Sequence, residues 1–368
     1  MIRRQLINFG TRSTDFRMGF GALSELSRMV SAVVATPKRA VIVTDASLAS
    51  AHGLEVSRAL IDAGFTVEDL SFPSGEHVST LAYAMQLFEA LDRSAITADD
   101  VIVALGGVEV CSLVTYCAGS WCGGTTYVLL PTTLDAMVTS ATTMTPLDTS
   151  SSSQMVHVEP RASLAVCDLF LLADCCEDEL RSGYVELIMA ALIDSRRQWE
   201  RMDSILPGAV SGEEVPLYDL IGMAQSARVR VLTSANPSAR NAIQFGRTTA
   251  RALKHCLGDA VPDYALLAEG MRFEARLAHD VTDFDVDDVF ALDDLLDEAG
   301  IDEVPFDLGC GRFIEALKDT RFKRSNRLMF SLPRHPGTIR FSVVDDEVLE
   351  RHARAYLASR AELMDGSR

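Results

Sequence analysis

The sequence is poor in the features that mark several large protein classes. It holds no run of about 18 apolar residues, the length a membrane-spanning helix needs, and residues 1–5 lead into no apolar stretch of signal-peptide type. A cytoplasmic protein without a membrane partner is expected. Positive charge is scarce, with 34 Lys and Arg against 52 Asp and Glu and a net charge of −18. That balance sets the chain against nucleic acid and anionic membrane. The eight cysteines form no C-x-x-C pair and no Cys/His group with zinc spacing, so reduced, mostly buried thiols are expected. The seven histidines compose no ligand set and no Ser-His-Asp or Cys-His arrangement.

What is present begins with length. At 368 residues the chain predicts two domains. Apolar runs at Ala40–Asp45, Val101–Leu105 and Tyr127–Leu130, with Val67–Leu70 between them, alternate with helical stretches of 12–18 residues. Such runs indicate a parallel sheet covered on both faces. Ligands of these sheets bind beyond the carboxyl ends of the strands, where Asp45, Glu76, Gly106, Gly107, Thr132 and Thr133 fall. The pair Gly106-Gly107 before a helix allows a phosphate to approach the backbone. A simple tight turn explains it equally well, since no GxGxxG is present.

From Cys176 onward the periodicity is helical, over 216–232, 238–256, 263–280, 289–298, 311–319 and 346–362, with a small hairpin near 327–343. Pro207-Gly208 reads as a connection, and Thr142–Gln154 as a polar loop between domains. The expected division is an α/β Rossmann-like domain over 1–174 and a mainly helical domain over 175–368. Within the second, Glu186 is the one charge in an apolar run from Tyr184 to Ile193. A helix apolar on every face is buried, and a buried carboxylate requires a partner or a shifted pKa. A metal ion and an ion pair both meet that need.

Several segments, in serial order, carry a resemblance. They are Pro73-Ser74-Gly75-Glu76, Leu105-Gly106-Gly107, Leu130-Pro131-Thr132-Thr133-Leu134, Glu179-Leu180-Arg181-Ser182-Gly183-Tyr184-Val185-Glu186, Phe245-Gly246, Gly270-Met271 and Glu274-Ala275-Arg276-Leu277. From about residue 15 to 345 the chain resembles the 3-dehydroquinate synthase family of sugar phosphate cyclases. The resemblance implies a dehydroquinate synthase-like fold, an NAD-binding α/β domain, a helical metal-binding domain and a homodimer. It implies a lyase that uses NAD to oxidise a sugar phosphate transiently, eliminates phosphate, reduces and cyclises.

The chemical positions depart from that family. Its zinc ligands are a Glu and two His; they correspond here to Glu186, Arg247 and Asp263. Arginine keeps its proton and is no ligand, so the expectation is that the metal site is lost. The family Asp and Lys after the PTT turn have no counterpart in Thr139–Thr145, the helix Lys is Met189, and the Asn before the FG pair is Gln244. Val108 replaces a third glycine and Ser79 a lysine, which weakens NAD binding without abolishing it. Cationic positions persist as Arg228, Arg240, Arg247, Arg251 and Arg321. These arginines either line a site for a small anionic or phosphorylated molecule or pair with local acids such as Glu186, Asp263 and Asp319. Arg247 paired with Glu186, with Asp263 as a further partner, in the place of zinc, is the specific form of the second reading. The expected function is a protein of this family that has lost NAD- and zinc-dependent cyclase activity and keeps a binding or regulatory role. The alternatives are an active cyclase with a divergent site, and a different enzyme acting on an anionic metabolite through the arginines.

Overall fold

The computed structural model describes all residues except 1, 35, 37, 144, 151–154, 323–328 and 367–368. Its contacts divide the chain into two compact units, Met1–Gly183 and Tyr184–Arg368.

The first unit is built on a seven-stranded sheet. Its strands are β1 (Arg3–Asn8), β2 (Ser13–Gly19), β3 (Arg39–Asp45), β4 (Thr66–Phe72), β5 (Val101–Gly106) and β6 (Thr126–Pro131), with a later strand at Leu164–Asp168. The spatial order is β1, β2, the Leu164–Asp168 strand, β6, β5, β3, β4. All neighbours run parallel except β1 on β2. The central strands β5 and β6 are buried nearly throughout, as expected of a parallel sheet with both faces covered. Helices α1 (Leu26–Val33), α2 (Leu54–Asp62), α3 (Leu81–Arg93), α4 (Val108–Ser120) and α5 (Leu134–Thr139) supply the connections. The sequence pattern marks the four strands β3 to β6 and not β1 and β2, which mix polar and apolar residues, or Leu164–Asp168, an apolar run of five residues.

The segment expected to loop between domains lies inside this unit. Thr145–Leu147 pairs antiparallel with Val156–Val158, so both flanks of the serine run belong to the first unit; Ser151–Gln154 falls outside the described residues. Four of the eight cysteines are buried rather than most of them, and Cys122 and Cys176 are exposed.

The second unit is helical. Helix α6 (Glu177–Asp194) spans the division; then come α7 (Arg196–Val210), α8 (Glu214–Leu232), α9 (Arg247–Leu257), α10 (Asp263–Thr282), α11 (Val286–Glu298), α12 (Cys310–Phe322) and α13 (Asp346–Gly366). A hairpin of Met329–His335 with Thr338–Val343 accompanies them. Two expectations are corrected here. Pro207-Gly208 is no connection: Pro207 lies inside α7. The helix expected over 238–256 is broken into short turns, Pro237–Arg240 and Ala242–Gln244, before α9 starts. The break is set by Gly246, which caps α9 at φ +76°, a left-handed conformation that suits glycine.

That glycine also marks a close helix crossing. A Cβ on Gly270 of α10 would stand 2.0 Å from the Gly246 carbonyl oxygen, and one on Gly246 would stand 2.6 Å from Met271 Cγ. Neither position admits a side chain. Glu274, one turn along α10, completes the junction: its carboxylate accepts from Gly246 N at 2.8 Å, Thr249 N at 3.2 Å and Thr249 Oγ1 at 2.9 Å. It supplies the first turn of α9 with acceptors that the turn lacks internally. Among the described residues no helix is long and apolar enough to cross a membrane.

Candidate functional site

Each unit holds one group of the residues singled out above. In the second unit, α6 is buried continuously from Gly183 to Ile193, and Glu186 within it is 6% exposed. Two guanidinium groups meet its carboxylate. Arg228 Nη1, from α8, donates to Oε2 at 3.0 Å, and Arg247 Nη2, from the first turn of α9, donates to Oε1. Arg247 is fixed in turn by its Nε, which donates to the Ile243 carbonyl at 3.0 Å. Burial alone would push the Glu186 carboxyl up. The charges and hydrogen bonds of Arg247 and Arg228 outweigh burial and hold it below the usual carboxylate range. Burial pulls Arg228 down, against the attraction of Glu186. One carboxylate with two guanidinium groups leaves a formal surplus of one positive charge, and Arg247, with its side chain 24% exposed against 1% for Arg228, carries that surplus toward water.

Several predicted residues stand elsewhere. Asp263 opens α10 at the surface, 82% exposed, and takes a hydrogen bond from Lys254 Nζ at 2.8 Å. The pairing of Arg247 with Glu186 is present; Arg228, not Asp263, is the third member. Arg251 donates to Gln244 Oε1 at 3.2 and 3.3 Å, and Arg240 is exposed on its short helix. Arg321 lies on α12, with its side chain outside the described residues. Of the five arginines, Arg228 and Arg247 therefore converge, and they converge on a carboxylate rather than on an open anion site. As an anion-binding candidate Arg228 is corrected by its burial, since its guanidinium is sealed on Glu186.

The residues do not fit a divalent metal. A divalent metal needs several ligand atoms and negative charge left uncompensated, whereas the charge of Glu186 is already met by two fixed guanidinium groups that repel a further cation. Among the described residues no group of three or more His, Cys, Asp or Glu is placed to hold a metal ion.

In the first unit a cavity of about 400 Å³ opens beyond the carboxyl ends of β3, β5 and β6. Asp45, Glu76, Gly107, Thr132 and Thr133 line it, as the strand-end argument predicts. Their local roles are explicit. Asp45 Oδ1 accepts from Ser47 N at 2.9 Å, Leu48 N at 3.1 Å and Ser74 Oγ at 3.2 Å, so it caps the turn after β3. Thr133 Oγ1 donates to Asp135 Oδ1 at 2.5 Å. Thr132 N closes onto the Gly106 carbonyl at 3.1 Å. Gly106 is needed for packing, because a Cβ there would meet Val110 at 2.7 Å.

Sequence reasoning missed Glu109. Its Oε2 accepts from Val78 N at 2.8 Å, and its Oε1 faces His77 Nδ1 at 2.6 Å. His77 Nε2 faces Asp148 Oδ2 at 2.9 Å. A carboxylate therefore stands at each ring nitrogen. Burial opposes the charge on His77, but the bonds to Glu109 and Asp148 outweigh it and raise its pKa. The available signal is an acid in the first turn of the helix after Gly107, which by itself is indistinguishable from ordinary dipole compensation.

The model of the 3-dehydroquinate synthase N-terminal family matches residues 69–182. The 3-dehydroquinate synthase of Caulobacter vibrioides (strain NA1000 / CB15N) is 29% identical over 290 residues, covering 75% of this chain and 77% of that one. That of Synechococcus sp. (strain CC9605) is 26% identical over 341 residues, covering 90% and 92%. Among solved structures, a 2-deoxy-scyllo-inosose synthase complexed with carbaglucose-6-phosphate, NAD+ and Co2+ superposes with a TM-score of 0.85 at 19% identity, covering 96% of this chain and 100% of that one. A 2-epi-5-epi-valiolone synthase from Streptomyces hygroscopicus subsp. jinggangensis 5008, with NAD+ and Zn2+ bound, gives 0.80 at 18%, covering 95% and 97%. The fold is that of these cyclases, and the sequence matches support membership of the 3-dehydroquinate synthase family.

Proposed function

For a chain whose matches support membership of the 3-dehydroquinate synthase family, we propose a 3-dehydroquinate synthase-like protein that no longer carries out metal-dependent cyclase chemistry and serves a binding or regulatory role. One observation carries this reading: the carboxylate at the family's metal-ligand position is neutralised by Arg228 and Arg247 of the same chain. In an active relative, a bound metal polarises substrate oxygens as a Lewis acid. A guanidinium tied into a buried ion pair has no open coordination position and cannot substitute for that. Met189 and Gln244, where the family has Lys and Asn, remove positioning and proton-transfer groups as well. Such groups are typically worth about two to four orders of magnitude each. The homodimer implied by the resemblance is retained in this proposal as the form in which the chain acts.

The test is metal analysis of the purified protein beside phosphate release from the 3-dehydroquinate synthase substrate with NAD and zinc supplied. The expected result is substoichiometric metal and no phosphate release above background. Stoichiometric metal with catalytic turnover would establish the alternative, an active cyclase built on a divergent site.

A further inference from the structure

The neighbouring cyclase structures contain NAD+, and the strand-end cavity of the first unit is where a dinucleotide of this fold would lie. Its lining argues against one. Six acidic residues line it, Asp45, Glu76, Glu109, Asp135, Asp174 and Glu179, and neither Lys nor Arg is among the lining residues. The sequence is consistent with that lining, since Lys38 is the only lysine before Lys254. A pyrophosphate is held in such sheets by the N–H groups and positive dipole end of the helix after a glycine turn. In α4 those first-turn donors belong to Val108, Glu109 and Val110. Glu109 is itself in that first turn and lines the cavity, and its carboxylate is held by Val78 N and by His77, whose other ring nitrogen faces Asp148.

We infer that Glu109 is a built-in anion at the α4 N-terminus, positioned by Val78 and His77, which excludes a dinucleotide phosphate from the cavity. The carboxylate brings the negative charge that the helix end favours, so a phosphate arriving there meets a site already compensated and a like charge beside it. His77 offers the ligand no free ring nitrogen, because both are engaged by Glu109 and Asp148. This inference rests on the first unit alone and is independent of the metal-site reading, whose test is metal content and turnover.

Isothermal titration of the full chain with NAD tests it. The Glu109→Ala variant is expected to bind NAD about tenfold more tightly than the unmodified protein, or more, a difference of about 1.4 kcal/mol. Glu109→Gln, which keeps the acceptor for Val78 N and removes the charge, is expected to move the same way by a smaller factor. A thermal melt of each variant checks that it folds, and if Glu109→Ala does not, Glu109→Gln decides the question. Overturning results are an affinity for NAD that the folded Glu109→Ala leaves unchanged, or one that Glu109→Gln leaves unchanged where only that variant folds. NAD binding too weak to measure in the folded deciding variant is equally an overturning result.

Discussion

Gly246 and Arg247 are neighbours in the chain, yet they belong to regions governed by different constraints. Gly246 sits in the crossing of α9 and α10, where a Cβ on Gly270 would run into the Gly246 carbonyl and one on Gly246 into Met271. Arg247 sits in the charge cluster around Glu186, where the requirement is compensation of a buried negative charge and not a particular shape. The first region matches the family pattern; the second does not. A steric constraint between two backbones admits one residue type. A compensation constraint admits any cation of suitable reach, whether a metal ion brought from outside or a guanidinium carried by the chain.

The largest expected effect breaks the second region. Glu186→Ala leaves two guanidinium groups facing each other without their carboxylate, one of them fully buried, and should lower unfolding stability by about 3–5 kcal/mol. Chemical denaturation checks this. If compensation rather than shape is what the cluster requires, removing all three charges together should cost far less. The triple variant Glu186→Leu, Arg228→Met, Arg247→Met is expected to recover most of the loss, since well-packed apolar replacements of buried ion clusters are often neutral or stabilising. A triple variant as unstable as Glu186→Ala would show that the cluster is held by shape after all.

Next in size is the steric region. Gly270→Ala must displace backbone, not a flexible side-chain end, and should cost about 3 kcal/mol, the upper part of the range for overpacking. No second substitution in a side chain should rescue it, in contrast to the charge cluster. A Gly270→Ala melting temperature equal to that of the unmodified chain would remove the distinction between the two regions.

Two buried carboxyls of the second unit give the next effect, a pH dependence of opposite sign. Glu186 is held below its ordinary value, so its contribution is present above about pH 4.5 and is lost as pH falls through its folded pKa. Burial pushes Glu274 up to about 7, against its hydrogen bonds from Gly246 and Thr249 and the nearby Arg251. Its contribution is fully present below about 4.5 and is lost as pH rises through about 7. Thermal melts should therefore show lower stability at pH 8 than at pH 6, and Glu274→Gln should flatten that difference. An unchanged slope in the variant would reject the assignment to Glu274.

Sequence reasoning reached different depths in these regions. The strands β3, β5 and β6 are legible because they are apolar runs ended by Gly, Pro or Asp, and β4, with Glu68 and Asp69 inside it, is placed by the turn that follows it, whereas β1 and β2, of the same length but mixed in polarity, give no comparable signal. Glu186 announced its burial because every neighbour on its helix is apolar. The partner Arg247 followed from its place in the family pattern. Arg228 was harder to assign, since an arginine in α8 reads equally as a surface residue or a buried partner, and only the packing of α8 decides. Glu109 was not found because its contacts to Val78 and His77 span about 30 positions of chain, and nothing local to it distinguishes them from ordinary first-turn acidity.

The smallest expected effect concerns Asp263, which by the resemblance corresponds to a metal-ligand position other than that of Arg247 and stands in neither constraint. Its carboxylate is 82% exposed and its partner Lys254 also bonds Asp259 at 2.9 Å. Surface pairs of this kind contribute about 0–1 kcal/mol, and here the second acid remains to hold the lysine. Asp263→Asn should therefore change stability by about 0.5 kcal/mol or less, measured by denaturation at low and at moderate salt. If Asp263 instead belonged to the Glu186 cluster, adding a second buried negative charge to offset the surplus positive one, its removal would be felt nearly as strongly as that of Glu186. A loss of that size would extend the compensated region to α10 and join the two regions that the present geometry keeps apart.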